Sequence, residues 1–439
     1  MKRTAIILWI SGLIFSSVPL HSQDTMTLTL EKSLKLALEQ NPFHLAAEKN
    51  VDTAKSQVRQ AAAAFFPSLN GQGTTNLSEK VMELEFPSLI PGQPPQRVEV
   101  DFTRDYQFTF ALNIPIFTGG RLMSGYKQAG YQLKSSRQGV RQSRQDVIYN
   151  TKRAFYGILL ARKFVEVAQE AVDVAEELHK NIEVQYEVGL ASKFDLLRSE
   201  VQVANLKPQL IRAENNLKVA KLSLKNIMGM DQSHPIEVKG ELIYQPADPA
   251  LETALETAMR NRPELKQFRL QKKVAGEAVI MARSSGLPSV SISGQYNYWA
   301  DQFNFKEDNW SNFYSLNLMV NIPIFNGLAT HARVAQAKSA LKELDFNQKG
   351  LVDQIRFEVR QAILNLQEAR QSLMSQEKNV DQAQESLRIA ELNYKEGMVT
   401  VLDVQQAQTA LSQAKTNYSQ ALYDYVVAQA ELQKAMGVE

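Results

Sequence analysis

Asn113-Ile114-Pro115-Ile116-Phe117 recurs as Asn321-Ile322-Pro323-Ile324-Phe325, an interval of 321 − 113 = 208 residues. The same interval carries Tyr186, Gly189 and Asp195 onto Tyr394, Gly397 and Asp403, and Met228-Gly229 onto Met436-Gly437. From Tyr106 onward the two copies run without a gap to the end of the chain. Upstream the interval is 221: Pro42 matches Pro263, and Pro67-Ser68 matches Pro288-Ser289. The difference, 221 − 208 = 13, is an insertion between Ser68 and Tyr106, around Val81 to Val100. Pro87, Pro91, Pro94 and Pro95 make that stretch read as an irregular loop. The chain is therefore one unit written twice. A first repeat covers residues 23–230, a proline-bearing linker 231–250, and a second repeat 251–439.

Each repeat contains a pair of strand-like runs, about 67–117 and about 288–325. Tyr106, Phe108, Phe110, Leu112, Ile114 and Ile116 alternate with Gln107, Thr109, Ala111 and Asn113. Tyr314, Leu316, Leu318, Val320, Ile322 and Ile324 repeat the pattern. Period two gives a strand one apolar and one polar face. Runs of about ten residues suit tilted strands crossing a bilayer. A half-buried sheet on a soluble core would alternate in the same way. In lipid an open sheet edge leaves backbone groups unsatisfied, and four strands cannot close, so a membrane reading requires a barrel shared between copies.

The rest of each repeat is helical. Long helices are expected over about 120–188 and 328–396, where no proline intervenes, and shorter ones over about 192–228 and 400–436. At 1.5 Å per residue the long pair would each reach ~100 Å. Pro208 is expected to kink the third of these helices. Val359, Leu366, Leu373, Val380, Leu387 and Tyr394 stand seven apart, followed three residues on by Ala362, Ala369, Gln376, Ala383 and Ala390. Ile158, Val165, Val172 and Tyr186, with Ala154, Ala161, Ala168 and Ala175, keep a matching register in the first repeat. A seven-residue apolar repeat marks coiled-coil packing, and the alanines allow close approach.

The N-terminus has the zones of a secretory signal peptide over residues 1–22: Lys2 and Arg3, an apolar core from Ala5 to Phe15, then smaller and more polar residues. A retained membrane anchor is the other reading of that segment. No later stretch has the ~20 continuous apolar residues of a spanning helix. Cysteine is absent, which excludes disulfides, thiol catalysis and a lipidated N-terminal cysteine. Without Lys2 and Arg3 the charges balance, 47 basic against 47 acidic, and no basic patch interleaved with aromatics points to nucleic acid.

The order is thus helix, strand pair, long helix, turn, helix, all twice. To it are added Leu28-Thr29-Leu30-Glu31-Lys32-Ser33-Leu34, Ala37-Leu38-Glu39-Gln40-Asn41-Pro42, Gly119-Gly120 and Gly327 after the two strand motifs, and Tyr186-Glu187-Val188-Gly189 with Tyr394-Lys395-Glu396-Gly397. This closely resembles the TolC-type outer membrane efflux family over nearly the whole mature chain. The resemblance implies a mostly α fold with a small β part. Long antiparallel coiled-coil helices form a periplasmic α-barrel, and four strands per chain contribute to a trimeric, twelve-stranded barrel in outer-membrane lipid. It also implies a homotrimer that meets a periplasmic adaptor and an inner-membrane pump, and conducts cargo without changing it.

By the resemblance, the turns Val188–Ser192 and Glu396–Thr400 form the periplasmic mouth and meet the adaptor, through Gly189, Leu190, Ser192, Gly397, Met398 and Thr400. Glycine suits a left-handed helix end. Ser192-x-x-Asp195 and Thr400-x-x-Asp403 resemble capping boxes. Asp195 and Asp403 are also candidates for a gate ring, where three copies would repel one another and attract cations. Gln406 and Val399 depart from the family pattern of a second gate aspartate and a locking arginine.

The five histidines show no metal-ligand spacing, and His179, at a heptad position, reads as packed or hydrated. No phosphate loop, nucleophile elbow or dinucleotide fingerprint is present, so neither catalytic residues nor a cofactor are expected. The rival reading is a soluble periplasmic coiled-coil adaptor or an envelope-spanning structural protein. It explains the heptads and leaves the paired strands unexplained.

Overall fold

The computed structural model describes residues 26–75, 81–88, 90, 92–101, 106–304, 306 and 309–439. The signal-peptide segment 1–22 lies outside the described residues. The elements follow in order: β1 (Met26–Leu28), α1 (Leu30–Gln40), α2 (Pro42–Ala63), β2 (Ser68–Thr75), β3 (Val81–Phe86), β4 (Gln96–Asp101), β5 (Tyr106–Phe117), α3 (Arg121–Glu187) and α4 (Lys193–Met228). The second half contains β6 (Ile236–Val238), α5 (Leu251–Asn261), α6 (Pro263–Ser284), β7 (Ser289–Ala300), β8 (Ser311–Asn321), α7 (Ala329–Lys395) and α8 (Val401–Ala435).

The chain forms two compact units, and neither coincides with a sequence repeat. One takes the chain up to Ala37, with Thr151–Ile243 and Ser375–Tyr423; the other takes Leu38–Asn150, Tyr244–Met374 and Asp424–Glu439. Each unit thus draws on both repeats, because the helices of the two repeats pack on each other rather than each repeat closing its own core.

The long helices arise where expected. α3 and α7 each run 67 residues without a break. In α3, Ile158, Ala161, Val172 and Ala175 are buried at the heptad positions, with Ile182 continuing the stripe. In α7, Val359, Ala362, Leu366 and Leu373 are buried, and Val380 and Leu387 are half-buried. α8 carries the longest stripe: Val404, Ala407, Leu411, Ala414, Ala421, Tyr425, Ala428, Leu432 and Ala435 are all buried, three or four residues apart except between Ala414 and Ala421, where Tyr418 is half-buried. α4 continues helical through Pro208.

The core of the second unit is tied at the joint between α5 and α6. Asn41 and Arg262 occupy equivalent positions, since 262 − 41 = 221. Asn41 caps α2, its side-chain oxygen accepting from the Phe43 and His44 amides at 2.9 and 3.0 Å. Arg262 makes no such cap. Its guanidinium instead donates to the Ala435 carbonyl at 2.8 Å and pairs with Glu264 and Glu358. An open carbonyl at the end of α8 is thereby satisfied.

β2, β5, β7 and β8 form one antiparallel sheet in the order β2-β5-β7-β8. Its register sorts side chains by face. Phe110, Tyr296 and Tyr314 stand in one row, and Ile114, Ile292 and Leu318 in another. On the other face Asn113, Ser293 and Asn317 align, and Thr109 donates to Asn297 at 2.8 Å. A sheet packed on a soluble core would bury its apolar face. Here Leu316 and Leu318 are 72% and 68% exposed, so the half-buried-sheet reading is set aside.

One expectation is corrected. The insertion around Val81 to Val100 is not an irregular loop throughout: β3 and β4 pair antiparallel as a hairpin, and Arg97 meets Glu85 at 2.7 Å. Pro87, Pro94 and Pro95 lie between these strands, where no ladder hydrogen bond is needed. The linker 231–250 carries a short strand. Its Ile236–Val238 pairs parallel with Met26–Leu28, and Arg162 donates to the Val238 and Gly240 carbonyls at 3.0 and 2.9 Å.

Candidate functional site: the helix-hairpin tips

α3 ends at Gly189 and α7 at Gly397, both left-handed, with φ of 78° and 73°. An L side chain at such φ places its Cβ against the backbone, so glycine is the residue that fits. The two ends are built alike. The Gly189 amide donates to the Tyr186 carbonyl at 3.0 Å, and the Leu190 amide to the Gln185 carbonyl at 2.7 Å. Gly397 donates to Tyr394 at 3.0 Å, and Met398 to Asn393 at 2.8 Å. These paired bonds make a Schellman motif, which satisfies the last carbonyls and turns the chain sharply. The same motif closes α4 at Gly229 and α8 at Gly437.

The following helices begin on the predicted hydroxyls, and each tip forms one half of a capping box. Ser192 Oγ accepts from the Asp195 amide at 3.1 Å and donates to the Asp195 carboxylate at 2.6 Å. At the other tip the Asp403 carboxylate accepts from the Thr400 amide at 2.8 Å and from the Thr400 hydroxyl at 2.6 Å. The Thr400 hydroxyl, then its backbone N–H, hold the Asp403 carboxyl below the usual aspartate range. Because the folded value is lowered, the cap contributes above the ordinary aspartate range and is lost as pH falls through the lowered value. Asp403 is therefore anionic at neutral pH.

The capping reading of both aspartates thus has its geometry. The tips also expose apolar side chains where helix hairpins usually show polar ones: Leu190 is 81% and Met398 72% exposed, and Val188 and Phe194 are exposed beside them. Two contacts were not legible beforehand. Tyr394 donates its hydroxyl to Gln185 Oε1 at 3.3 Å, joining α7 to α3 just behind the tips. Burial, and then the Asp195 charge, raise that phenol's pKa. Its repeat equivalent Tyr186 is exposed, so the duplication marked both tyrosines without showing which one is bonded. His179 Nδ1 lies 2.8 Å from Ser199 Oγ, in keeping with a packed histidine. Farther along, Glu176 meets Lys207 at 2.9 Å and Glu170 meets Lys415 at 2.6 Å, tying α3 to α4 and to α8.

A family model described as "Outer membrane efflux protein" matches residues 33–230 and 254–438. The alkaline protease secretion protein AprF of Pseudomonas aeruginosa is 24% identical, over 100% of this chain and 90% of its own length. The outer membrane protein TolC of Vibrio cholerae is 26% identical, over 91% of this chain and 89% of its own. Among solved structures, the Campylobacter jejuni CmeC outer membrane channel superposes with a TM-score of 0.75 at 18% identity, covering 93% of this chain and 85% of that one. The Neisseria gonorrhoeae MtrE channel, in its open state, gives 0.73 at 18% identity over 93% and 89%.

Proposed function

The chain belongs to the outer membrane efflux protein family, and from that premise we propose that three copies close one duct whose helix-hairpin tips receive a periplasmic adaptor linked to an inner-membrane pump. The protein is an outer-membrane channel of the efflux and secretion class, with its helices extending into the periplasm. The observation that carries the shared-barrel reading is the four-stranded sheet, which has two open edges and an exposed apolar face, and the count of three copies is what membership of the family implies. A lipid-facing edge costs several kcal/mol for each unsatisfied backbone group, so the strands need partners from other copies. Three copies supply 3 × 4 = 12 strands.

The tips suit a docking role. Gly189, Leu190, Ser192, Gly397, Met398 and Thr400 hold two tight, equivalent turns that present apolar side chains on rigid helix ends. An adaptor with an apolar helical tip of its own would cover them. Asp195 and Asp403 belong to the same turns. Around a threefold axis, Asp403 would form a ring of negative charge that favours cations.

The purified protein should form conducting pores in a planar bilayer. Asp403→Ala should shift those pores away from cation preference, with export by the native system little changed. A pore whose ion preference is unmoved, in a protein with a less stable α8, would leave Asp403 a helix cap and nothing more. A preparation that never conducts would speak against the duct itself.

A further inference from the structure

We infer that one face of α3 and α6, carrying Lys134, Arg141, Lys266, Arg269 and Lys273, docks the carboxylate-bearing cell-wall polymer that surrounds the duct in the periplasm. This goes beyond the duct reading above and rests on it only for the side of the membrane on which these helices lie.

Lys127, Lys134 and Arg141 stand seven apart on α3. Lys266 and Lys273 stand seven apart on α6, with Arg269 between them. Residues at such spacing recur on one helix face. The two helices lie side by side: Gln128 Nε2 donates to the Val274 carbonyl at 3.2 Å, and Gln267 Nε2 to Gln142 Oε1 at 3.0 Å. Lys134 Nζ and Lys273 Nζ both lie over the Tyr131 ring, 5.8 and 5.6 Å from its centroid, so the two rows form one patch. Burial, then the Arg141 and Arg269 charges, lower the Lys266 pKa, as expected where three cations crowd together.

Lysines at the seams between helices have partners: Lys127 meets Glu277 at 3.9 Å, and Lys272 meets Asp345 at 2.7 Å. Among the described residues, Lys134, Arg141, Lys266, Arg269 and Lys273 form no ion pair. Like charges held together without an anion repel one another. The fold does not require this arrangement, because the chain contains the same helix twice. The 221-residue interval places Leu45, Glu48 and Asp52 of α2 where α6 has Lys266, Arg269 and Lys273. A requirement of the scaffold would appear in both copies; here one copy is cationic and the other is not.

The opposite face of the same helices is uncharged: Gln132, Ser136 and Gly139 of α3, with Gln267 and Gln271 of α6, line a polar groove. On the cationic face Met123 lies one turn before Lys127, and Ile280 seven residues after Lys273. Both are exposed where the helices approach the sheet, whose apolar face is exposed too. The cationic face therefore continues the lipid-facing side and lies outside the channel. The row from Lys127 to Arg141 covers ~20 Å of helix, roughly 10–30 Å beyond the start of α3 at Arg121. Headgroups extend only ~5–8 Å past the hydrocarbon core, so lipid does not reach most of the row. A polymer with carboxylates repeated along its length matches a row of cations, and copies around the duct present such rows to a mesh that encircles it.

The detergent-purified protein should co-sediment with isolated cell-wall sacculi at low salt. It should be released as salt rises through physiological strength, where charges are screened over ~8 Å. Lys134→Gln with Arg269→Gln and Lys273→Gln should sediment severalfold less while still forming conducting pores, which guards against a folding defect. Lys49→Gln with Lys55→Gln and Arg59→Gln removes as many charges from α2 and should sediment as the unmodified protein does. Sacculi whose carboxylates have been amidated should capture little of the unmodified protein. No sedimentation of the unmodified protein, undiminished sedimentation of the first triple variant, or undiminished capture by amidated sacculi overturns the proposal. Capture by anionic phospholipid vesicles that is lost in the first triple variant overturns it as well, by assigning the patch to lipid. Pores that conduct in any of these cases leave the duct reading standing.

Discussion

Gly397→Trp is expected to abolish export while leaving normal amounts of assembled protein in the outer membrane. The substitution forces a side chain onto φ = 73°, a strain of about 1–2 kcal/mol. Nothing lies within 4 Å of the added Cβ, so the core is not overpacked. That strain is too small to dismantle a trimer, but it displaces the Met398 turn and plants an indole in the proposed docking surface. Gly119 provides the contrast. A Cβ there would meet Leu287 Cβ at 2.9 Å and the Ser284 carbonyl at 3.0 Å, so Gly119→Trp should lower the amount of folded protein itself. Export assayed beside immunoblots of membrane fractions separates the two. If Gly397→Trp exports normally, the tip is not the docking surface.

Leu318→Lys is expected to strip the protein from the outer membrane. Leu318 lies on the apolar face in a row with Ile114 and Ile292. A lysine facing lipid near the bilayer middle costs roughly 2–4 kcal/mol, and three copies carry it together, so roughly 6–12 kcal/mol acts on one barrel. Asn317→Lys, one residue away on the face shared with Ser293 and Asn113, should be tolerated because that face lines water. The measurement is the yield of assembled protein extracted from outer membranes. Equal yields for the two lysines would mean that the sheet does not lie in lipid.

The duplication, the heptads and the two-faced strands were legible in the chain because each is a periodic pattern, and periodicity survives any tertiary setting. Ile158, Val172, Val359 and Leu366 stand buried where a seven-residue repeat puts them. The β3–β4 hairpin was not legible, because four prolines over a short stretch read as irregular when counted together. Their placement between Phe86 and Gln96 bounds two strands instead of breaking them. β6 was hidden for another reason: a three-residue strand has no period, and only its partner Met26–Leu28 reveals it. At the tips, glycine and the hydroxyl-x-x-aspartate spacing announced the caps, since capping is local chemistry. The Tyr394–Gln185 bond spans 209 residues of chain, and no local pattern encodes it.

The central claim is that one duct is built from three incomplete sheets, and the mass of the detergent-extracted protein tests it most directly. A chain of 49.4 kDa before any processing should run as a trimer after correction for bound detergent. A stable monomer in detergent that keeps its native strand content would show that the sheet needs no partner, and would contradict the account.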